Sequence, residues 1–229
     1  MGIRTLLPKG WKACAWIDAD IEFENPGWAL DTLKILNGCK DIVQPFSHAI
    51  DMDRQKNALN IFPSFCYQFS KKRPHGLIGV NMWHPGFAWA CTRKAYERMG
   101  GLYEVSILGS GDHIMSLAFV GLSHTSLNGT VHPDYLESAQ VFQDRASSFR
   151  LGYTPGLIRH HFHGAKKNRK YGDRWQILVK HAFAPTVHLT KREDGLLVPS
   201  PACPRELLTD IMSYFAERNE DEGYKVVII

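Results

Sequence analysis

Short apolar runs, separated by polar and glycine- or proline-rich breaks, follow two periods along the chain. Ala13–Asp18, Asp41–Phe46, Phe87–Thr92 and Thr154–Phe162 are compact apolar segments that predict strands. Trp28–Leu36, Arg93–Met99, Asp112–Phe119, Arg174–Phe183 and Pro204–Glu217 predict helices. Their alternation implies an α/β chain, a mixed sheet flanked by helices. NPG at 25–27, HPG at 84–86, MGG at 99–101 and LGSG at 108–111 punctuate it. Chemistry is therefore expected on loops at strand ends, where open α/β sheets bind ligands. Residues 1–183 read as the catalytic and acceptor body. Residues 184–229 read as a connector rich in proline and charge, then a helix bracing the same domain.

Composition narrows the class. A chain of 229 residues, 44% hydrophobic and 22% charged, suits one soluble domain able to bury a core. No apolar stretch has the length of a membrane span, and MGIRTLLPKGWK lacks the continuous apolar region of a signal peptide, so a cytoplasmic location is expected. Cysteines 14, 39, 66, 91 and 203 are odd in number and lack CxxC spacing. That argues against a disulfide framework and a structural zinc site, and predicts reduced thiols. A net charge of +4 favours anionic partners weakly. Nucleic acid is unlikely as a partner, because the basic residues are concentrated in one stretch.

Three segments carry candidate chemistry. In AWIDADIEF (15–23), Asp18 and Asp20 follow an apolar strand. Read alone, the doublet fits a turn and helix cap ahead of Asn25-Pro26-Gly27 as well as it fits a site for a hard cation. Asp-x-Asp on a strand would put both side chains on one face, since the period is two, and so favour one shared ion. In ILGSGDHIMSLAF (107–119), a glycine-rich loop delivers Asp112 and His113 to the start of an apolar helix. Asp112 suits an N-cap, or a general base at the mouth of a cleft. In RHHFHGAKKNRKYGDRW (159–175), three histidines in four residues precede a basic run. Imidazole completes metal sites, and the cations suit a departing diphosphate.

The order WIDAD, PGFAW with GGLYE, GSGDH, and HHFHG with RKYGDR resembles metal-dependent glycosyltransferases of the GT-A fold. The likeness is to glycosyltransferase family 2-like proteins of large DNA viruses, phages and bacteria. It runs from about residue 2 to the end and includes SYFAERNEDE (213–222). It implies a partial GT-A, Rossmann-like mixed sheet. It also implies sugar transfer from a nucleotide-sugar donor to a hydroxyl of a glycan or other acceptor, with Mn²⁺ or Mg²⁺ as cofactor. Asp18 and Asp20 become the Asp-x-Asp metal ligands and Asp112 the base of an inverting reaction, although GSG stands where an acidic neighbour is more usual. His163 resembles the late metal-ligating histidine. Strand parity pairs it with His161, whereas the family's His-x-x-His spacing pairs it with His160. Lys167, Arg169, Tyr171 and Arg174, with His160, His161 and His113, become candidates for diphosphate or acceptor contacts. Trp83 is a candidate sugar-stacking ring, and Trp89 is expected in the core.

In the GT-A fold several strand–helix units precede the Asp-x-Asp, each taking roughly thirty residues, and only 17 residues precede Asp18 here. The expectation is a catalytic and acceptor portion without its donor-base half, arising from a short gene call, a split gene or a truncation. Such a chain should self-associate or bind a partner chain that completes the sheet. Two other functions compete: a non-catalytic relic of the fold, and a metal-dependent phosphoester hydrolase, which often uses two ions.

Overall fold

The computed structural model describes residues 2–77, 81–127, 130–164, 170 and 172–218. It is an α/β chain in which parallel and antiparallel strands form mixed sheets flanked by helices. Among the described residues, eight strands divide between two four-stranded sheets and two more form a separate hairpin, where a single sheet was expected.

The first sheet has the order β1 (Ala13–Ile17), β6 (Ala88–Thr92), β3 (Ile42–Gln44), β7 (Leu151–Tyr153). β6 runs antiparallel to both β1 and β3, with Cys91 opposite Cys14 and Ile42, while β3 and β7 are parallel. Alternation along the strands sends residues to two faces. Cys14, Ile42, Trp89, Cys91 and Leu151 enter the main core. Val43 and Ala90 face Leu36 and Ile35 of α2 (Trp28–Gly38).

The second sheet has the order β2 (Ile21–Phe23), β8 (Leu157–His160), β4 (His48–Met52), β5 (Ala58–Pro63). β8 is antiparallel to β2 and parallel to β4. Three strands of the first sheet are thus each followed by a strand of the second. β1 leads to β2 through residues 18–20, β3 to β4 through 45–47, and β7 to β8 through 154–156. The predicted strand Thr154–Phe162 is accordingly cut short. Thr154, Pro155 and Gly156 form the crossing, fixed by Ser47, whose N–H and hydroxyl both donate to the Gly156 carbonyl at 2.9 and 2.8 Å.

The main core is closed by helices on the far side of the first sheet. α4 (Arg93–Met99) is capped by Thr92, whose hydroxyl accepts from the Ala95 N–H at 3.1 Å, and stops at Gly100 with φ +82°. α5 (Gly111–Ala118) buries Ile114, Met115 and Leu117. α6 (Pro133–Ala146) contributes Tyr135, Ala139, Phe142 and Ala146. α1 (Gly2–Leu6) and α3 (Phe65–Ser70) border this body, and α3 sets Phe65 in the same core. α7 (Asp173–Lys180), α8 (Pro185–His188) and the hairpin of β9 (Leu189–Lys191) with β10 (Leu197–Pro199) follow. α9 (Arg205–Glu217) buries Leu207 and Tyr214 in the main core, and its Asp210 accepts from Lys180 and His181 at 2.7 Å each. Among the described residues no helix is long and apolar enough to cross a membrane.

Candidate metal centre

Asp18 and Asp20 sit where the chain passes from the first sheet to the second. β1 ends at Ile17, so the expected strand continuation through Asp18 is absent, and Asp20 lies in a turn that opens β2. Neither aspartate is the turn-and-cap residue ahead of α2. Asn25 makes the turn, its side-chain oxygen accepting from the Gly27 N–H at 2.8 Å, and Gly27 is the N-cap with no side chain capping the helix.

The Asp18 backbone N–H donates to the Phe87 carbonyl at 2.8 Å. Phe87 has φ +79°, a conformation that a bulky side chain adopts at a cost of about 1–3 kcal/mol. Its ring stacks on His84, 4.0 Å between centroids and 6° between planes. This turn holds the Asp18 backbone in place. Burial raises the Asp18 carboxyl most, and the charges of Asp20 and Asp112 raise it further, to about 6.

Asp20 reaches the histidines. Its Oδ2 lies 3.3 Å from His160 Nε2 and 2.6 Å from His163 Nδ1, and the two rings meet edge-on at 5.0 Å. Burial works to raise the Asp20 carboxyl, but the hydrogen bond and charge of His160 and the charge of His163 outweigh it and hold the group below its ordinary range. His160 is raised: burial opposes its charge, and the bonds to Asp20 and Asp51 prevail. One carboxylate oxygen and two imidazole nitrogens thus converge, with ligand atoms of Asp20, His160 and His163 all within 4.8 Å of one another. Two imidazoles with one carboxylate are a donor set that fits a first-row divalent ion such as Mn²⁺ better than Mg²⁺, which prefers oxygen.

Of the two pairings open for His163, the geometry selects His160. His161 turns outward, with Nε2 3.1 Å from Glu22 Oε2. Only its backbone joins the site, donating to the Asp20 carbonyl at 2.9 Å. Asp18 stands outside the three-residue cluster but feels the charges of Asp20, Asp112 and His160, and because the strand ends at Ile17 the period of two does not apply to the two aspartates.

Asp112 occupies the first turn of α5, with its side chain exposed. A Cβ on Gly86 would lie 3.0 Å from Asp112 Oδ2, so the carboxylate rests against the turn that also binds Asp18. The loop leading to Asp112 has Gly109 at φ +96° and Ser110 at φ +71°. Arg174 Nη1 is 2.8 Å from the position a Gly109 Cβ would take, which places its cation beside this loop. His113 points away, its Nδ1 2.7 Å from Ser126 Oγ, and burial lowers its pKa. Trp83 is packed in the core, 8% exposed, with Nε1 donating to the Pro74 carbonyl and its ring edge-on to Phe65, so a sugar-stacking role is corrected to a structural one. Lys167, Arg169 and Tyr171 lie outside the described residues.

Asp51 was not foreseen. It accepts from His160 Nδ1 at 2.7 Å, and both residues are buried, at 5% exposure each. The available signal was a lone carboxylate inside the apolar run HAIDM, since Asp is seldom buried without a partner. No known family model, curated protein or solved structure matches the chain.

Proposed function

We propose that the chain is a metal-dependent glycosyltransferase that moves a sugar from a nucleotide-sugar donor to a hydroxyl acceptor. One observation carries the reading: Asp20, His160 and His163 converge, and Asp18 feels the charges of Asp20, His160 and Asp112. Asp20, His160 and His163 would hold the metal. When bound, the metal supplies charge neutralisation for a donor diphosphate.

Asp112 is exposed at the start of α5 and free of the metal cluster, as a base that meets an acceptor hydroxyl needs to be. Removing that proton as the hydroxyl oxygen attacks the anomeric carbon from the face opposite the leaving group gives inversion. Arg174, beside Gly109, supplies positive charge near the same loop. Asp18, whose carboxyl feels the charges of Asp20, Asp112 and His160, links the two halves of the site.

Calorimetric titration with nucleoside diphosphates and nucleotide sugars, with and without Mn²⁺, tests the reading. Metal-dependent binding of a nucleotide sugar, followed by transfer to an acceptor, supports it; metal binding with no nucleotide affinity in the folded protein removes it. The same reading carries the expectation of self-association or of a partner chain along β1, one of the two edge strands of its sheet. A monodisperse monomer in light scattering, alone and with donor, removes that part.

A further inference from the structure

We propose that Asp51 is the positioning residue of the metal centre: its buried carboxylate fixes the ring and tautomer of His160 so that Nε2, not Nδ1, faces the metal. This rests on the metal-centre reading above and extends it to a residue that does not touch the ion.

The backbone places the pair before any side chain is considered. β4 and β8 are parallel neighbours, and Asp51 is the direct register partner of His160. Ile21 of β2 flanks His160 on its other side, so the histidine sits on an inner strand paired along both edges. The side chains meet at 2.7 Å between Asp51 Oδ1 and His160 Nδ1. A carboxylate only accepts, so Nδ1 carries the hydrogen, and the lone pair of the neutral ring lies on Nε2. That nitrogen is the one 3.3 Å from Asp20 Oδ2. The ring is further confined by Phe87, 4.7 Å away at 40°, and by His163, edge-on at 5.0 Å.

A carboxylate behind a metal-ligating imidazole does two things. It fixes which nitrogen is offered, and it makes that nitrogen more basic and so a stronger ligand. Asp51 acts on the site through His160, whose ring meets Asp51 with Nδ1 and Asp20 with Nε2. His163 contrasts with this: its Nδ1 faces Asp20 directly and is 3.3 Å from the His161 carbonyl. The two histidines are therefore unequal ligands, one preset in the sheet and one on the segment after it.

Co²⁺ is the probe, since its visible absorption reports the ligand field independently of turnover. Wild type, Asp51→Asn, Asp51→Ala and Leu207→Ala are titrated by calorimetry and absorption, with circular dichroism to verify folding. Leu207 is buried on α9, outside the site, and controls for general loss of stability. Asp51→Asn keeps an acceptor but loses the charge, and is expected to weaken Co²⁺ binding about tenfold; Asp51→Ala loses both, and about a hundredfold is expected. The absorption bands should shift in both, while Leu207→Ala keeps wild-type bands and affinity. Asp51 variants matching wild type, or losing no more affinity than Leu207→Ala, would overturn the assignment and leave the metal centre standing. A wild-type protein that takes up no Co²⁺ overturns both. If the variants do not fold, ¹⁵N NMR of Zn²⁺-loaded wild type decides: hydrogen on His160 Nδ1 with metal on Nε2 supports the proposal, and the reverse arrangement overturns it.

Discussion

Removing either histidine should abolish metal binding, but only one removal should cost the fold much. In His160→Ala the charge-assisted bond to a buried Asp51 disappears, a change of about 1.5–3 kcal/mol. The vacated ring space next to Phe87 and Ile21 adds about 1–2 kcal/mol more. The sum, about 3–5 kcal/mol, is a large share of the roughly 5–15 kcal/mol that holds a domain folded. For a chain of this size it corresponds to a fall in Tm of roughly 6–20 °C. His163 lies after β8, half-buried, so His163→Ala should lower the metal-free Tm by at most about 2 °C. Mn²⁺ at a hundred times its Kd should stabilise the wild type by about 2.7 kcal/mol and leave both variants unmoved. Melting curves by circular dichroism, with EDTA and with Mn²⁺, read all of this. Equal metal-free Tm values for the two variants would refute the reasoning about Asp51 and His160. A Mn²⁺-induced rise surviving in either variant would refute the three-residue centre.

Asp112→Asn should reduce transfer at least a hundredfold while Mn²⁺ affinity stays within twofold, which donor-turnover assays and calorimetry check together. Gly86→Ala would place a Cβ 3.0 Å from Asp112 Oδ2 and 3.3 Å from His84 Cε1, so turnover should fall about ten- to a hundredfold with metal affinity retained. Trp89→Phe should cost about 2–3 kcal/mol by chemical denaturation, because Trp89 is 1% exposed and its Nε1 donates to the Pro85 carbonyl at 2.7 Å. Asp41 is held below the ordinary carboxylate range chiefly by the Arg150 hydrogen bonds, at 2.9 and 3.0 Å. Its contribution is therefore present above the unfolded pKa near 4 and lost as pH falls through the depressed folded value. With Arg150 largely exposed, Asp41→Asn should cost only about 0.5–1 kcal/mol at pH 7, and the gap to wild type should close in melts taken below about pH 4.

The helices with strong signals were legible in the sequence, and those with weak ones were not. Arg93–Met99 is found with its predicted ends, because Thr92 caps it and Gly100 releases it. α6 escaped notice although it runs from Pro133 to Ala146. Its buried stripe is Tyr135, Ala139, Phe142 and Ala146, so two of its four core residues are alanines that hardly register as apolar beside the intervening Glu, Gln, Asp and Arg. β4 and β5 were missed for a related reason. HAIDM carries a buried aspartate, and ALNIFP exposes Leu59 and Ile61, so neither shows the clean alternation of a half-buried strand.

The site itself was legible in its residue types and misread in its geometry, and both parity arguments failed at the same structural feature. Period-two reasoning holds only while the chain remains a strand. Asp18 and Asp20 fall in the crossing from β1 to β2, so two residues' separation no longer means one face, and of the two only Asp20 joins the histidine cluster. β8 stops at His160, so counting by twos from His163 to His161 runs through residues that are not strand at all. Once the strand ends, a three-residue step brings His163 back beside His160, as the 5.0 Å edge-on contact records. The second sheet is what makes this possible. By continuing three strands of the first sheet past their crossings, it carries His160 and Asp51 to adjacent positions on parallel neighbours, facing the turn that holds Asp20. A pairing between β4 and β8, 109 residues apart in the chain, is information that no local window of sequence contains.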